Sequence, residues 1–261
     1  MGGGILNGET NALVADISNE AEKGSRLSLL GAFYGIGALG IPVLLSFLSE
    51  YYSFEIILQG TGMVMLIGIL FCLGIRFPAP KQPQGFPIKE GLGLLKESSL
   101  LLLSFILFFQ SGIEGVCNNW TTLYLGQTTG IPENRALIAL TCMVAGLTVA
   151  RLLLVVLFKK IKQETVLRTS LITAVAGFAL LTFAPGFARA AIGMALIGAG
   201  LASTFPVILS IIGSRYASLS GTAFSVALVI ALIGQTLLNS LTGIISQGYG
   251  IVAVSYTHLR A

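Results

Sequence analysis

Hydrophobic residues in this chain follow one another in long, unbroken runs, and most polar residues lie between the runs. A run of about 20 apolar residues is long enough to cross a membrane as a helix, and no run alternates as a strand would. The pattern therefore predicts a bundle of membrane helices. Seven complete spans are expected, at residues 27–48, 54–75, 100–124, 136–158, 169–184, 190–212 and 222–245.

The two ends of the chain differ from this pattern. Residues 1–16 are mostly small or apolar, but they form a helix of only about 24 Å, whereas the hydrocarbon core of a bilayer is about 30 Å thick. We therefore expect this segment to be a span that is cut at its front. Residues 254–261 resemble a translated adapter sequence and are expected to be a non-native tail, with a short native tail as the alternative.

Composition supports a protein embedded in the lipid bilayer. Hydrophobic residues make up 54% of the chain and charged residues only 10%, whereas soluble domains carry about 25% charged residues. A disordered chain, a nucleic-acid-binding protein and an ordinary soluble enzyme are therefore excluded. The 32 glycines suit membrane helices that pack closely.

Basic residues are distributed unevenly between the two sides of the predicted bundle. Only Arg135 and Arg189 lie in loops on one side, whereas eleven lie in the alternate loops on the other, the basic side. Cytoplasmic loops are enriched in Lys and Arg, so the basic side is predicted to be cytoplasmic, with the chain crossing the inner (plasma) membrane several times. The eleven are Lys23, Arg26, Arg76, Lys81, Lys89, Lys96, Lys159, Lys160, Lys162, Arg168 and Arg215.

One loop on the basic side is long and rich in proline. Residues 77–87, FPAPKQPQGFP, hold four of the eight prolines, and residues 88–98 have the pattern of a short amphipathic helix on the membrane surface. We interpret this linker as a hinge between two helix bundles, with a plain inter-helix loop as the alternative. The predicted divisions are an N-terminal bundle at 1–76, the linker at 77–98 and a C-terminal bundle at 99–253.

Candidate chemistry depends on the few polar residues inside the spans. Glu114 lies about 21 Å from the basic end of its span and about 15 Å from the other end, too deep for its side chain to reach water at either surface. Such a polar position must face protein or water, so it lines a solute cavity or forms a structural hydrogen-bond network. At about 100° per residue, its face of the helix also carries Gln110, Asn118 and Thr121.

The last span carries a second polar stripe, formed by Gln235, Asn239, Thr242 and Ser246. Amides and a carboxylate offer the paired donors and acceptors that sugar hydroxyls need, so a substrate is expected between the two stripes. Trp120 and Tyr124, near the outer end of the Glu114 span, either anchor the helix at the membrane interface or stack on a sugar ring.

Further candidates lie on other helices. Asn7 and Asn11 share a face of the first helix and are expected to line the cavity, whereas Glu9 points away from them. Arg151 lies about 10 Å from the basic boundary, where its side chain can snorkel to water, and it is a candidate for gating or helix packing. Two prolines inside spans, Pro42 and Pro206, predict kinks.

Enzymatic chemistry finds no support among the residue types. Outside the tail the chain has no histidine, and Asp16 is its single aspartate. A Ser–His–Asp triad, a histidine metal site and an aspartyl dyad are therefore excluded, and no enzyme activity, cofactor or metal is expected.

Several segments follow one another in an order that is specific when taken together. They are residues 2–17 (GGGILNGETNALVADI), 28–42 (SLLGAFYGIGALGIP), 112–125 (GIEGVCNNWTTLYL), 145–152 (AGLTVARL) and 198–226, which end in FPVILSIIGSRYASLSGTAFSV. They resemble the fourth, fifth, seventh, eighth and tenth helices of the major facilitator superfamily, in its fucose-permease-like branch of sugar:proton symporters. Glu114, Trp120 and Tyr124 stand at the acidic and aromatic positions of the seventh.

The resemblance implies an all-α helix bundle that works by alternating access, with this chain holding about helices four to eleven of twelve. The chain also departs from the family pattern at two places. In the loop after the eighth helix, Lys159 stands where an aspartate is usual. In the fourth helix, Asn7 stands where an acid is usual, and Glu9 lies two residues farther on. We expect a secondary transporter of a sugar or similar polar solute with a proton; a non-transporting scaffold or sensor is the alternative.

The polar positions in the spans and the family resemblance together predict three groups of site residues. Proton coupling is assigned to Glu114 and Glu9, and gating to Arg151. Substrate binding is assigned to Asn7, Asn11, Gln110, Glu114, Asn118, Trp120, Gln235 and Asn239.

Overall fold

The computed structural model describes residues 2–49, 51–78, 93–183, 186–249 and 251. Every regular element within these residues is helical, so the predicted all-α class is confirmed. The tail at 254–261, most of the proline-rich linker and residues 88–92 of the amphipathic segment at 88–98 lie outside the described residues. The hinge, the surface helix and the bundle boundaries stay predictions.

Nine α-helices and one short 3₁₀ turn are formed by the described residues. Six stretches among them are long and apolar enough to cross a membrane, which agrees with a multi-pass protein. The helices are α1 (Gly2–Ile17), α2 (Lys23–Ser49), α3 (Phe54–Gly74), α4 (Ser98–Thr129), α5 (Glu133–Lys160), α6 (Gln163–Phe183), α7 (Phe187–Leu201), α8 (Thr204–Arg215) and α9 (Ser220–Tyr249), with the 3₁₀ turn at Ala217–Leu219 before α9.

Helix α6 is longer than the sequence pattern predicts. The expected span at 169–184 was too short, because α6 already begins at Gln163 and contains 21 residues. Its first turns are polar, and Glu164 accepts a 2.5 Å ion-pair contact from Arg168 one turn later. Charge pairs at this spacing stabilise a helix outside the apolar run.

The span predicted at 190–212 consists of two helices, because α7 ends at Leu201 and α8 begins at Thr204. Pro206 has no N–H to offer the carbonyl of Ala202 four residues earlier, which explains the break and confirms the expected interruption. Helix α2 continues as a helix through Pro42, and the kink expected there stays a prediction.

Close backbone contacts between helices depend on glycine. A Cβ atom at Gly198 of α7 would overlap the carbonyl oxygen of Met143 on α5. Another at Gly234 of α9 would overlap the carbonyl oxygen of Phe108 on α4. Membrane helices approach in this way because dispersion contacts between backbones replace the hydrophobic driving force that is absent in lipid.

Helices α1 and α2 pack on the rest of the bundle through their basic-side halves. Ala12 and Ala15 of α1 share a buried cluster with Phe224 of α9, and a Cβ atom at Gly35 of α2 would overlap Thr148 of α5. Farther from the basic side, a Cβ atom at Gly40 would meet nothing within 4 Å. Helices α1 and α2 therefore meet the rest of the bundle on the basic side, and α2 separates from it toward the opposite side.

Candidate functional site

Gln110 and Glu114 lie one turn apart in the middle of α4, as the sequence pattern predicts. Gln110 is only 4% exposed. Its Nε2 donates to the carbonyl oxygen of Leu201 at 3.2 Å and lies 3.5 Å from Oε2 of Glu114. Glu114 itself is half-buried. The buried amide thus links the carboxylate to the end of α7.

The rest of the α4 stripe divides into a packed part and an open part. Thr121 is buried, donates to the carbonyl oxygen of Cys117 at 2.6 Å and lies 3.8 Å from the sulfur of Met194 on α7. Asn118 is exposed, and its Nδ2 donates to the backbone oxygen of Glu114 at 2.9 Å. The stripe therefore combines the two alternatives, an interhelical network at its buried positions and an accessible polar surface beside Glu114.

The α9 stripe faces a different side of α4 from the one expected. Oδ1 of Asn239 accepts a 2.9 Å hydrogen bond from Asn119, and Gln235 lies against Gly115. Asn119 is one residue beyond Asn118, hence about 100° around the helix. The α9 stripe therefore packs beside the Gln110–Glu114–Asn118 face, and a solute bound between the two stripes stays a prediction.

The sequence pattern did not indicate Asn119, because this residue directly follows Asn118 and so lies on a different face of the helix from the Glu114 stripe. A signal was present in the spacing, since Gly112, Gly115 and Asn119 recur at three- and four-residue steps. Small residues at that spacing mark a helix-packing face. A polar residue on such a face is held next to the neighbouring helix, here by its bond to Asn239.

Two aromatic residues line the outer part of α4. Trp120 is half-buried, and its six-membered ring would lie 3.4 Å from a Cβ atom at Gly243 of α9. Tyr124 is also half-buried and packs on the buried cluster formed by α4, α5 and α7. Trp120 therefore lies at the outer end of the α4–α9 seam that contains Asn119 and Asn239.

The candidates on α1 are joined to each other. Asn11 is buried, and its Nδ2 donates to both the backbone oxygen and the Oδ1 of Asn7, at 2.7 and 2.8 Å. Asn7 and Glu9 are exposed. Within the described residues, no hydrogen bond connects Asn7 or Asn11 to either polar stripe, so α1 contributes a separate polar face.

Arg151 does not snorkel to the basic surface, contrary to the expectation from its depth. It is only 7% exposed, and its Nη1 donates to the carbonyl oxygen of Gly31 on α2 at 3.1 Å. A Cβ atom at Gly31 would lie 3.0 Å from Nη1 of Arg151, so the glycine leaves room for this contact. Glu114 of α4 interacts electrostatically with the guanidinium.

A sequence profile of the Major Facilitator Superfamily matches residues 1–251. The chain belongs to the major facilitator superfamily. Its fold is similar to that of a major facilitator transporter, FucP, whose crystal structure is in the outward conformation, with a TM-score of 0.76 and 20% sequence identity. The similarity covers 96% of this chain and 68% of FucP.

A second crystal structure, of a variant of the E. coli fucose:proton symporter FucP, gives a TM-score of 0.77 at 20% identity, again covering 96% of this chain and 68% of that one. The fold expected from the fucose-permease-like segments is thereby confirmed. No curated protein sequence matches the chain significantly.

This major facilitator chain has a polar latch on its basic side that the sequence did not suggest. Lys23 at the start of α2 is 3% exposed and donates to Glu20 at 2.7 Å and to Ser214 of α8 at 3.2 Å. Ser214 also bonds to Glu20. Ser220 of α9 donates to Asp16 of α1 at 2.8 Å. The latch joins the α1–α2 corner to the α8–α9 corner.

Replacing Lys23 by methionine is expected to open the basic side. The buried ammonium is lost while the aliphatic stem is kept, and a charge-assisted hydrogen bond contributes about 1.5–3 kcal/mol, which predicts roughly tenfold or greater opening. Maleimide labelling of Ala32→Cys, a buried position on α2, measures the opening once the native cysteines are replaced by serine.

The matched control is Arg26→Met, because Arg26 makes a 2.8 Å ion pair with Glu22 in which both side chains are largely exposed. Exposed ion pairs contribute about 0–1 kcal/mol, so this variant should label at the wild-type rate. Equal labelling rates for Lys23→Met and Arg26→Met would show that the latch does not hold the basic side closed.

Proposed function

We propose that the protein is a secondary transporter that carries a sugar or similar small neutral solute together with a proton by alternating access. The observation that carries the proposal is the half-buried carboxylate of Glu114 in the middle of α4, beside exposed amides. An ionisable group at this depth in a membrane helix costs about 2.5–3.5 kcal/mol on insertion scales and marks a functional site.

The residues around Glu114 support a neutral solute. Glu114 and Arg151 of the neighbouring helix α5 interact electrostatically, so this region contains one charge of each sign. Exposed amides at Asn118 and Gln235 offer donors and acceptors that match hydroxyl groups. Trp120 supplies an apolar ring surface at the outer end of the α4–α9 seam. The fold similarity to a fucose:proton symporter favours the same class of solute.

Alternating access is supported by the distribution of helix contacts. Helices α1 and α2 meet the other helices on the basic side and α2 separates from them on the other, which is the arrangement expected of a transporter that is open away from the basic side. Arg151 is proposed to gate, because its bond to Gly31 joins α5 to α2 across this closed region. Asn7 and Asn11 are proposed to line the opposite wall, and Glu9 is a second candidate for proton transfer.

Uptake into proteoliposomes tests the proposal. The intact transporter is reconstituted with a panel of neutral sugars, sugar acids and amino sugars, with the outer medium more acidic than the lumen. A neutral sugar is expected to accumulate above its external concentration and to leak out when a protonophore is added. Solute binding without uptake would favour a sensor. Uptake that does not depend on the pH gradient would contradict proton symport.

Asn239→Leu is expected to raise the KM for the transported solute by about tenfold, because one lost hydrogen bond in a desolvated site costs roughly 1–1.5 kcal/mol. Asn134→Leu is the matched control, since Asn134 is exposed in the first turn of α5. Measured initial rates should separate the two variants. Similar KM values for both would place the solute away from the α4–α9 seam.

A further inference from the structure

Gln110 occupies a position between the carboxylate and the break in the α7–α8 span. The same Nε2 nitrogen lies 3.2 Å from the oxygen of Leu201, the last residue of α7, and 3.5 Å from Oε2 of Glu114. Because Gln110 is almost completely buried, its amide depends on these protein partners. The expected substrate contact is thus better described as a link between two parts of the protein.

The break itself holds unpaired polar groups. Pro206 offers no N–H to the carbonyl of Ala202. The side-chain hydroxyls of Ser203 and Thr204 are buried and have no hydrogen-bond partner among the residues that the structure describes. An unpaired buried polar group costs about 1–3 kcal/mol, so this segment gains if it rearranges to pair them. Such a segment is suited to be a hinge.

The two helices joined by the hinge have different neighbours. Helix α7 packs against α5 and α6, where Gly198 meets the backbone of Met143 and Gly193 meets that of Gly177. Helix α8 ends in the latch, where Ser214 bonds to Lys23 and Glu20. A change of angle between α7 and α8 therefore moves the latch relative to the Glu114 site.

We propose that Gln110 is a positioning residue that transmits the protonation state of Glu114 to the α7–α8 hinge. This inference rests on the proposed role of Glu114 in proton coupling. Ionised Glu114 only accepts hydrogen bonds, so it holds the Gln110 N–H groups toward itself and toward the oxygen of Leu201. The end of α7 is then capped by a side chain of α4.

Protonation of Glu114 reverses this preference. The carboxylic acid becomes a hydrogen-bond donor, and the Gln110 amide rotates so that its Oε1 accepts this hydrogen bond. That oxygen then faces the oxygen of Leu201, and two acceptors in contact repel each other. The cap is lost, the hinge is freed and the latch end of α8 can move. One proton is taken up by Glu114, and no other group changes its protonation.

The charged and titratable groups that face Glu114 are compatible with this switch. Arg151 of α5 interacts electrostatically with it, and Cys117 lies one turn along α4. Tyr34 of α2 interacts with Arg151. The other neighbouring helices have no charged side chain near Glu114. The single charged residue of α7 is Arg189 and that of α8 is Arg215, each near the end of its helix that is distant from Glu114. Helix α9 has no charged side chain.

Hydrogen exchange across residues 199–206 tests the inference in the intact transporter, expressed as protection factors corrected for the intrinsic pH effect. Wild-type protection is expected to fall by about tenfold between an alkaline and an acidic pH, the loss of one hydrogen bond of about 1.4 kcal/mol. Gln110→Leu should show low protection at both pH values and a flattened pH profile of uptake. Gln127→Leu, at an exposed position near the outer end of α4, should behave like wild type.

The outcomes separate the inference from the function on which it rests. A pH-dependent protection in Gln110→Leu that equals wild type would overturn the role of Gln110, even if Glu114→Gln abolishes coupling. If Glu114→Gln leaves the pH dependence of uptake intact, the proposed proton coupling fails instead. Gln110→Met, which keeps an unbranched side chain, replaces the leucine variant if that one does not fold.

Discussion

Glu114→Gln is expected to abolish solute accumulation driven by a pH gradient while leaving exchange of solute across the membrane measurable. Glutamine keeps the size and the hydrogen-bonding capacity of the side chain but cannot bind and release a proton. A one-proton symporter can concentrate its solute about tenfold for each pH unit, since one unit corresponds to about 1.4 kcal/mol. The variant should only equalise the internal and external concentrations, as measured by radiolabelled uptake.

The matched control is Glu133→Gln, which removes a carboxylate that is exposed in the first turn of α5. This variant should accumulate solute as the wild type does. Glu114→Asp provides an internal comparison, because it keeps the titratable group but shortens its reach toward Gln110. Accumulation by Glu114→Gln to the wild-type level would exclude Glu114 from proton coupling.

Gly198→Ala is expected to destabilise the fold strongly, although it adds a single methyl group. The new Cβ atom would overlap the carbonyl oxygen of Met143, so α5 and α7 must separate along a contact that both helices bury. Overpacking of a tightly packed core costs about 1–3 kcal/mol, and the cost here lies at the upper end because rigid backbone is displaced. Thermal unfolding in detergent measures the loss.

Gly221→Ala is the control for Gly198→Ala, because it lies in α9 and its Cβ atom would meet nothing within 4 Å. Alanine favours a helix over glycine by about 0.8–1 kcal/mol, so this variant should be as stable as wild type or more so. If Gly198→Ala unfolds at the wild-type temperature, the close α5–α7 contact is absent from the folded protein.

Much of the fold is readable from the sequence because a membrane imposes a simple rule. Apolar runs of sufficient length form helices, and this rule placed the helical spans. The rule did not predict the start of α6, because Gln163 and Glu164 are polar and the helix extends beyond the apolar run. It could not assign a packing partner to α3, none of whose residues is buried in the described part of the chain.

The candidate site was only partly predictable, because spacing along a helix shows which residues share a face but not what that face meets. The pairing of Gln110 with Glu114 follows from their separation of four residues. The bonds from Asn119 to Asn239 and from Arg151 to Gly31 depend on which helices become neighbours. That information lies in the tertiary packing, where the close approach of small residues decides the contacts.

The most direct test of proton-coupled transport is the pH of a weakly buffered suspension when solute is added to proteoliposomes that hold the intact transporter. Solute entry with a proton predicts alkalinisation of the outer medium, abolished by Glu114→Gln and retained by Glu133→Gln. The proton signal should grow in proportion to the solute taken up. Solute uptake with no change in external pH would contradict the mechanism proposed for this major facilitator protein.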